Sequence, residues 1–167
     1  AEIVTFEFPE RGGMPSLRLI WYDGGLLPPR PLGLDPAEPA PTRYYVGDKG
    51  VLIPAAPWTT TAAPAPRTQT PRLIILENGK RILFKPPRKT IARTIGHYQE
   101  WIAAAKGGKP ANCNFDYACL FAETALLGVI AARTGRELLY DAEGARFTNC
   151  SDANEFVSPP YRAGWSL

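Results

Sequence analysis

The chain has 167 residues, with 19 basic and 16 acidic side chains and a net charge of +3. That length supports one good hydrophobic core and makes a single domain, residues 1–167, the default. So mild a charge gives no case for nucleic acid or an anionic membrane surface as a partner. Three cysteines without a C-x-x-C pattern fit neither a disulfide framework nor a zinc site.

The chain opens on Ala1 and runs straight into a strand pattern, so it reads as a piece of something longer or a processed product. Any targeting signal would lie outside it, which leaves cytoplasmic and periplasmic locations both open. Residues 2–8 alternate, with Val4, Phe6 and Phe8 on one face and Ile3, Thr5 and Glu7 on the other. Residues 17–22 alternate again, setting Leu17, Leu19 and Trp21 against Arg18, Ile20 and Tyr22. The turn-rich Glu10-Arg11-Gly12-Gly13 stretch makes the two a predicted hairpin.

Eleven of the 18 prolines then fall between Pro28 and Pro71. Such density excludes helices and central strands and predicts extended, proline-rich arms at about 26–42 and 54–71. Between the arms, two short apolar runs around Gly47-Asp48-Lys49-Gly50 predict a tight hairpin. Trp58, in the second arm, is a candidate anchor on a neighbouring domain or subunit. Asn78-Gly79, flanked by apolar runs at 73–76 and 82–84, is the strongest short hairpin signal in the chain. The basic stretch at 85–89 has no interleaved aromatic residue to stack a base and reads as a solvated connector.

The rest of the chain is organised around residues 95–140. A helix is expected from about Thr94 to Lys106, with Ile95, Tyr98, Ile102 and Ala105 on one face and Gly107-Gly108 ending it. The apolar run 115–133 approaches the length of a membrane span, but Asp116, Glu123 and Thr124 interrupt it. It reads as a helix buried on most of its circumference, N-capped by Asn114 or Asp116 and stopped by Gly135. Cys119 within it is expected in the core, whereas Cys113 and Cys150 read as free thiols that an oxidising compartment would let pair. Glu123 needs a tertiary partner, since Arg133 is too far along the helix to reach it. Two short strands at 137–140 and 145–148 follow, then a helical turn or two at 149–156. The tail, with Tyr161 and Trp165, is expected to dock. Strands and helices do not alternate, which predicts an α+β fold rather than a doubly wound sheet.

Neither a G-x-G-x-x-G after a strand nor a G-x-x-x-x-G-K-[ST] occurs, and no G-x-S-x-G elbow is present. His97, the only histidine, forms an H-x-x-E pair with Glu100. Two ligands do not hold a metal, so the plain alternatives for His97 are an exposed or capping ring and a pocket-lining proton carrier. Trp21-Tyr22-Asp23 at a strand end offers an aromatic face and a carboxylate to a sugar, although its alternation phase also suits Trp21 to core packing.

Several stretches together carry a resemblance. They are Phe6-Glu7-Phe8-Pro9, Trp21-Tyr22-Asp23-Gly24-Gly25, Val46-Gly47-Asp48-Lys49-Gly50 and His97-Tyr98-Gln99-Glu100-Trp101-Ile102 running to Gly107-Gly108-Lys109-Pro110. Asn149-Cys150 and the terminal Gly164-Trp165-Ser166-Leu167 complete the set. In that order the chain resembles, nearly end to end, the C-terminal domain of Gfo/Idh/MocA oxidoreductases of the bacterial sugar-degrading branch.

The resemblance implies an open, mostly antiparallel sheet with two main helices on one face, walling a pocket for a sugar or polyol. It implies that NAD or NADP is held by a separate N-terminal Rossmann domain, with no cofactor, metal or catalytic residue in this chain. His97, Trp21 and Tyr22 are then candidate substrate-binding positions on the pocket wall. A non-catalytic carbohydrate-binding subunit and a domain of an NAD-assisted glycoside hydrolase are the alternatives of other classes. Because both faces of the early strands carry apolar residues, a homo-oligomer closing through the sheet face is expected. Neither nucleic acid nor a membrane is an expected partner.

Overall fold

A computed structural model describes residues 1–38, 40–53 and 87–165, together with the backbone of strands at 72–77 and 80–82. In chain order the elements are β1 (Glu2–Phe8), β2 (Leu17–Asp23), β3 (Tyr45–Gly47), β4 (Gly50–Ile53), β5 (Arg72–Glu77) and β6 (Lys80–Ile82). Helices α1 (His97–Ala105) and α2 (Phe115–Thr134), strands β7 (Tyr140–Asp141) and β8 (Arg146–Phe147) and a 3₁₀ helix at Ser151–Phe156 follow. The fold mixes small antiparallel sheets with helices, as an α+β reading requires. In place of one open sheet, the strands among the described residues form three separate sheets: β1-β2, β3-β4-β5-β6 and β7-β8. The chain clusters into two compact units, Ala1 with Tyr22–Ile91 and Glu2–Trp21 with Ala92–Leu167.

In the first unit, β3 and β4 pair from Gly47↔Gly50 outwards, so Asp48-Lys49 is the expected two-residue turn. β5 and β6 pair from Glu77↔Lys80, a register that brackets Asn78-Gly79, itself outside the described residues. The second arm, with Trp58, also lies outside them. The described part of the first arm is not extended but folded on itself. Arg30 Nη2 donates to the carbonyls of both Asp35 and Glu38, Tyr44 Oη donates to the Pro29 carbonyl at 2.9 Å, and Leu34 is buried. A guanidinium offering several donors in a fixed fork closes a loop that proline denies ladder hydrogen bonds.

In the second unit, β1 alternates as expected: Val4, Phe6 and Phe8 are half-buried, and Ile3, Thr5 and Glu7 are exposed. The Glu7–Arg18 ion pair, 3.2 Å apart, puts those two residues on one face. Leu17, Leu19 and Trp21 therefore lie on the Phe6 side. Phe6 meets α2 at Gly128, where an added Cβ would stand 2.6 Å from the ring Cζ.

α2 begins where Asn114 Oδ1 accepts the Tyr117 N–H at 3.1 Å. It ends on Gly135 at φ 63°, the left-handed conformation that glycine adopts without strain. Its last turns, with β7, β8 and the 3₁₀ helix, enclose the main core of Ile130, Phe147, Cys150 and Ala153, flanked by Leu127, Leu138, Tyr140 and Val157.

Two asparagines do the backbone bonding that strands this short cannot. Asn149 accepts the Leu139 N–H and donates to the Glu137 carbonyl. Asn154 accepts the Phe147 N–H at 2.7 Å and donates to the carbonyl of the same residue at 3.1 Å. Each amide satisfies one donor and one acceptor, as another strand would.

Four expectations are corrected. α2 is not buried on most of its circumference: only Gly128 and Ile130 are buried, and Phe115, Leu120, Phe121 and Leu126 are exposed. Cys119 is exposed with Cys113, and Cys150 is the buried thiol; all three are free. The two helices do not share a sheet face. Among the described residues α2 packs on β1 and the 3₁₀ helix, while α1 has no buried residue and packs on no other element. Tyr161 and Trp165 are also exposed, with the Arg162 guanidinium over the Trp165 ring. The apolar spacing was read for these segments, but burial depends on which elements face them.

Candidate functional site

His97 is the first residue of α1, following Gly96, whose φ of 121° suits the sharp entry into the helix. The imidazole is exposed and meets the neighbouring Tyr98 ring edge-on, at 5.5 Å between centroids. Its H-x-x-E partner is engaged elsewhere. Glu100 Oε1 accepts the Asn112 side-chain N–H at 2.9 Å and Oε2 accepts the Asn112 backbone N–H at 3.1 Å. That bidentate clamp pins the loop between the helices and gives Glu100 a structural task. Among the described residues no three His, Cys, Asp or Glu side chains converge as a metal shell would.

Trp21 sits on β2 with its indole 56 % exposed, so it presents an aromatic plane to solvent rather than filling the core. Tyr22, half-buried, belongs to the other compact unit. There Tyr44 has its phenol pKa raised, first by burial and then by the nearby Tyr22. Within the second unit, no hydrogen bond or ring contact joins Trp21 to His97 among the described residues. The candidates are thus two exposed rings on separate elements, not an assembled catalytic group.

A polar pair with strong electrostatics among the described residues lies elsewhere. Tyr140 Oη donates to Glu123 Oε1 at 2.6 Å, and this bond, then burial, pushes the phenol up to about 12. Glu123 therefore has the tertiary partner its place in an apolar helix requires. The tether joins the middle of α2 to β7. Sequence spacing signalled the need for a partner, but nothing in it pointed to Tyr140 seventeen positions away.

α2 is also long and apolar enough to cross a membrane by length and composition, with a mean hydropathy of 1.5 over its apolar window. Its attachments oppose that use. A helix tied through Glu123 to Tyr140 and seated on Phe6 through Gly128 has one face committed to protein.

Neither helix N-terminus is a dinucleotide cradle. The first turn of α2 has its Tyr117 N–H taken by Asn114, and the single Gly96 before α1 has no glycine-rich turn around it. Comparison with family models, curated proteins and solved structures returns no match.

Proposed function

We propose that this chain is the substrate-binding and oligomerisation domain of an NAD(P)-dependent oxidoreductase acting on sugars or polyols, its cofactor being held by a separate Rossmann domain. The observation that carries this function is the apolar surface of the early strands. Leu17, Leu19 and Trp21 are 62, 42 and 56 % exposed on one side of β2, and Ile3 and Ile20 are 56 and 41 % exposed on the other. Apolar residues on both sides of a two-stranded sheet belong to a wall shared with another domain or another copy. An exposed indole beside them is the surface on which the C–H face of a sugar ring stacks.

The motif order from Phe6 to Trp165 supports the same function by resemblance. The helix N-termini offer no fit for a pyrophosphate, so no hydride-transfer step is assigned to residues of this chain. His97, Trp21 and Tyr22 are pocket-wall positions in this scheme.

Intrinsic fluorescence titration with hexoses and polyols tests it. A saturable change that Trp21→Phe removes is expected, with no response to NAD(H) or NADP(H). Micromolar nucleotide binding by this chain alone would overturn it. In the two-domain enzyme, His97→Ala and Trp21→Ala are expected to lower kcat/KM while leaving the thermal midpoint in place. Unchanged kinetics with lost stability would make both positions structural.

A further inference from the structure

We infer that Asp23-Gly24 is a site of spontaneous covalent modification, where the Gly24 backbone nitrogen closes on the Asp23 carboxyl group to give a succinimide that water reopens as isoaspartate. It is the only Asp-Gly pair in the sequence. β2 ends on Asp23 and the chain turns at once. The Leu26 N–H donates to the Asp23 carbonyl at 3.3 Å, across Gly24 at φ 66° and Gly25 at φ 86°. Within that turn the Gly24 N–H donates to Asp23 Oδ1 at 2.6 Å, so the attacking nitrogen and the carboxyl group are already in contact. Closing them makes the small, unstrained ring of a cyclic imide. Asp35 and Asp141 also accept a backbone N–H, but from Ala37 and Gly144, whose nitrogens could close only larger rings.

The fold holds glycine at position 24 and so keeps the pair reactive. Its φ is in the left-handed region, and an added Cβ would clash with Ala1 Cα, which passes directly over the turn. A side chain that would hinder the nitrogen is excluded by that passage. Both Asp23 and Gly24 are exposed to the water that reopens the ring. In the first step a Cγ–N bond forms and a Cγ–O bond breaks. The leaving oxygen departs as water, carrying the amide proton and one from the carboxyl group or solvent. In the second step water adds to either ring carbonyl. Opening at the side-chain carbonyl restores Asp23. Opening at the main-chain carbonyl leaves isoaspartate, in which the chain runs through the former side chain and is longer by one methylene. That extra length falls at the end of β2, where Ala1 and Gly24 lie too close to absorb it without moving. The reaction does not depend on the oxidoreductase reading.

Ageing the folded chain in neutral buffer and digesting it with a protease that cleaves before aspartate, but not before isoaspartate, tests it. Cleavage before position 23 is expected to fall progressively while the mass of the chain stays the same. A species lighter by one water should accompany the change as the ring form, and the other aspartates should remain cleavable. Asn78-Gly79 is told apart by mass, because ring closure there releases ammonia and hydrolysis leaves a heavier chain. The same segment, excised as a peptide and aged alongside, gives the reference rate. Position 23 in the folded chain is expected to convert at least as fast as in the peptide, since the turn already holds the two groups together. Slower conversion in the folded chain, or uniform loss of cleavage at all aspartates, overturns the proposal. Asp23→Glu, which can close only a larger ring, should abolish the isomeric peptide with unchanged circular dichroism. An isomer that persists in Asp23→Glu also overturns it.

Discussion

The corner formed by residues 137–157 and helix α1 make an instructive pair. The corner has two strands of two residues each and a 3₁₀ helix, little that a periodicity would pick out, yet it holds Phe147 at 4 % exposure and Ala153 at 0 %. α1 has apolar residues at helical spacing, a glycine at each end and nine residues of regular helix, yet none of them is buried. Regularity and burial are separable. The corner is held by side chains: Asn149 and Asn154 bond the backbone of residues 137–147, part-buried in the case of Asn154 with Phe147, and the Tyr140–Glu123 bond ties it to α2. α1 bonds its own backbone from Glu100 onward, and no other element packs on it among the described residues.

The sharpest way to break this contrast is to empty the corner. Phe147→Ala removes a buried ring that packs on Tyr140 at 5.3 Å between centroids. It should cost about 3–5 kcal/mol, read as a lowered urea midpoint. A loss below about 1 kcal/mol would mean that Phe147 is not the centre of a close-packed core.

Asn154→Ala probes the polar half of the corner. It strips a bond from both the N–H and the carbonyl of Phe147, leaving partly buried groups unpaired. The expected cost is about 1–3 kcal/mol. Asn154→Asp should recover part of it, because a carboxylate still accepts from the N–H but cannot donate to the carbonyl.

The Tyr140–Glu123 tether gives the corner a pH signature. Its folded-state phenol is raised from 10.0 to about 12 by a bond that only the protonated form donates. Between those values the unfolded chain has lost the proton and the native chain keeps it, so stability falls as pH rises. The contribution is fully present below about pH 10 and is lost through pH 12. Tyr140→Phe should flatten that part of the stability profile relative to the parent chain, with little change in its slope below pH 9. Parallel profiles for the two proteins across the window would show that Tyr140 does not donate to Glu123.

What the sequence made legible follows the same division. Alternation located β1 and β2, Gly47-Asp48-Lys49-Gly50 located a turn, and Asn114 and Gly135 marked the two ends of α2. Each of these is a local rule, decided by residues within a few positions of one another. Burial is not local. The run at 115–133 looked like core because its composition is apolar, but composition does not say that only its last turns meet β1 and the 3₁₀ helix. Cys119, expected in the core, is exposed for the same reason. At the candidate site, His97 and Trp21 were chosen by chemistry, and whether they are brought together depends on long-range packing that spacing cannot encode.

The smallest expected effect comes from the other member of the pair. Trp101 is the largest side chain on α1 and is 69 % exposed, with no element packed on its helix among the described residues. Truncating a buried tryptophan costs about 3–5 kcal/mol, because its contacts vanish and a cavity remains. An exposed one has few contacts to lose and leaves no cavity. Alanine is also the better helix former by a few tenths of a kcal/mol, which offsets part of any loss. Trp101→Ala should therefore change stability by less than about 0.5 kcal/mol in a urea titration at low protein concentration. Repeating the titration at a hundredfold higher concentration separates two origins for any larger effect. A loss that grows with concentration places Trp101 in an interface between copies, since association stabilises only the folded form by mass action. A large loss independent of concentration places the indole against its own chain, and the contrast between a packed corner and a bare helix then fails.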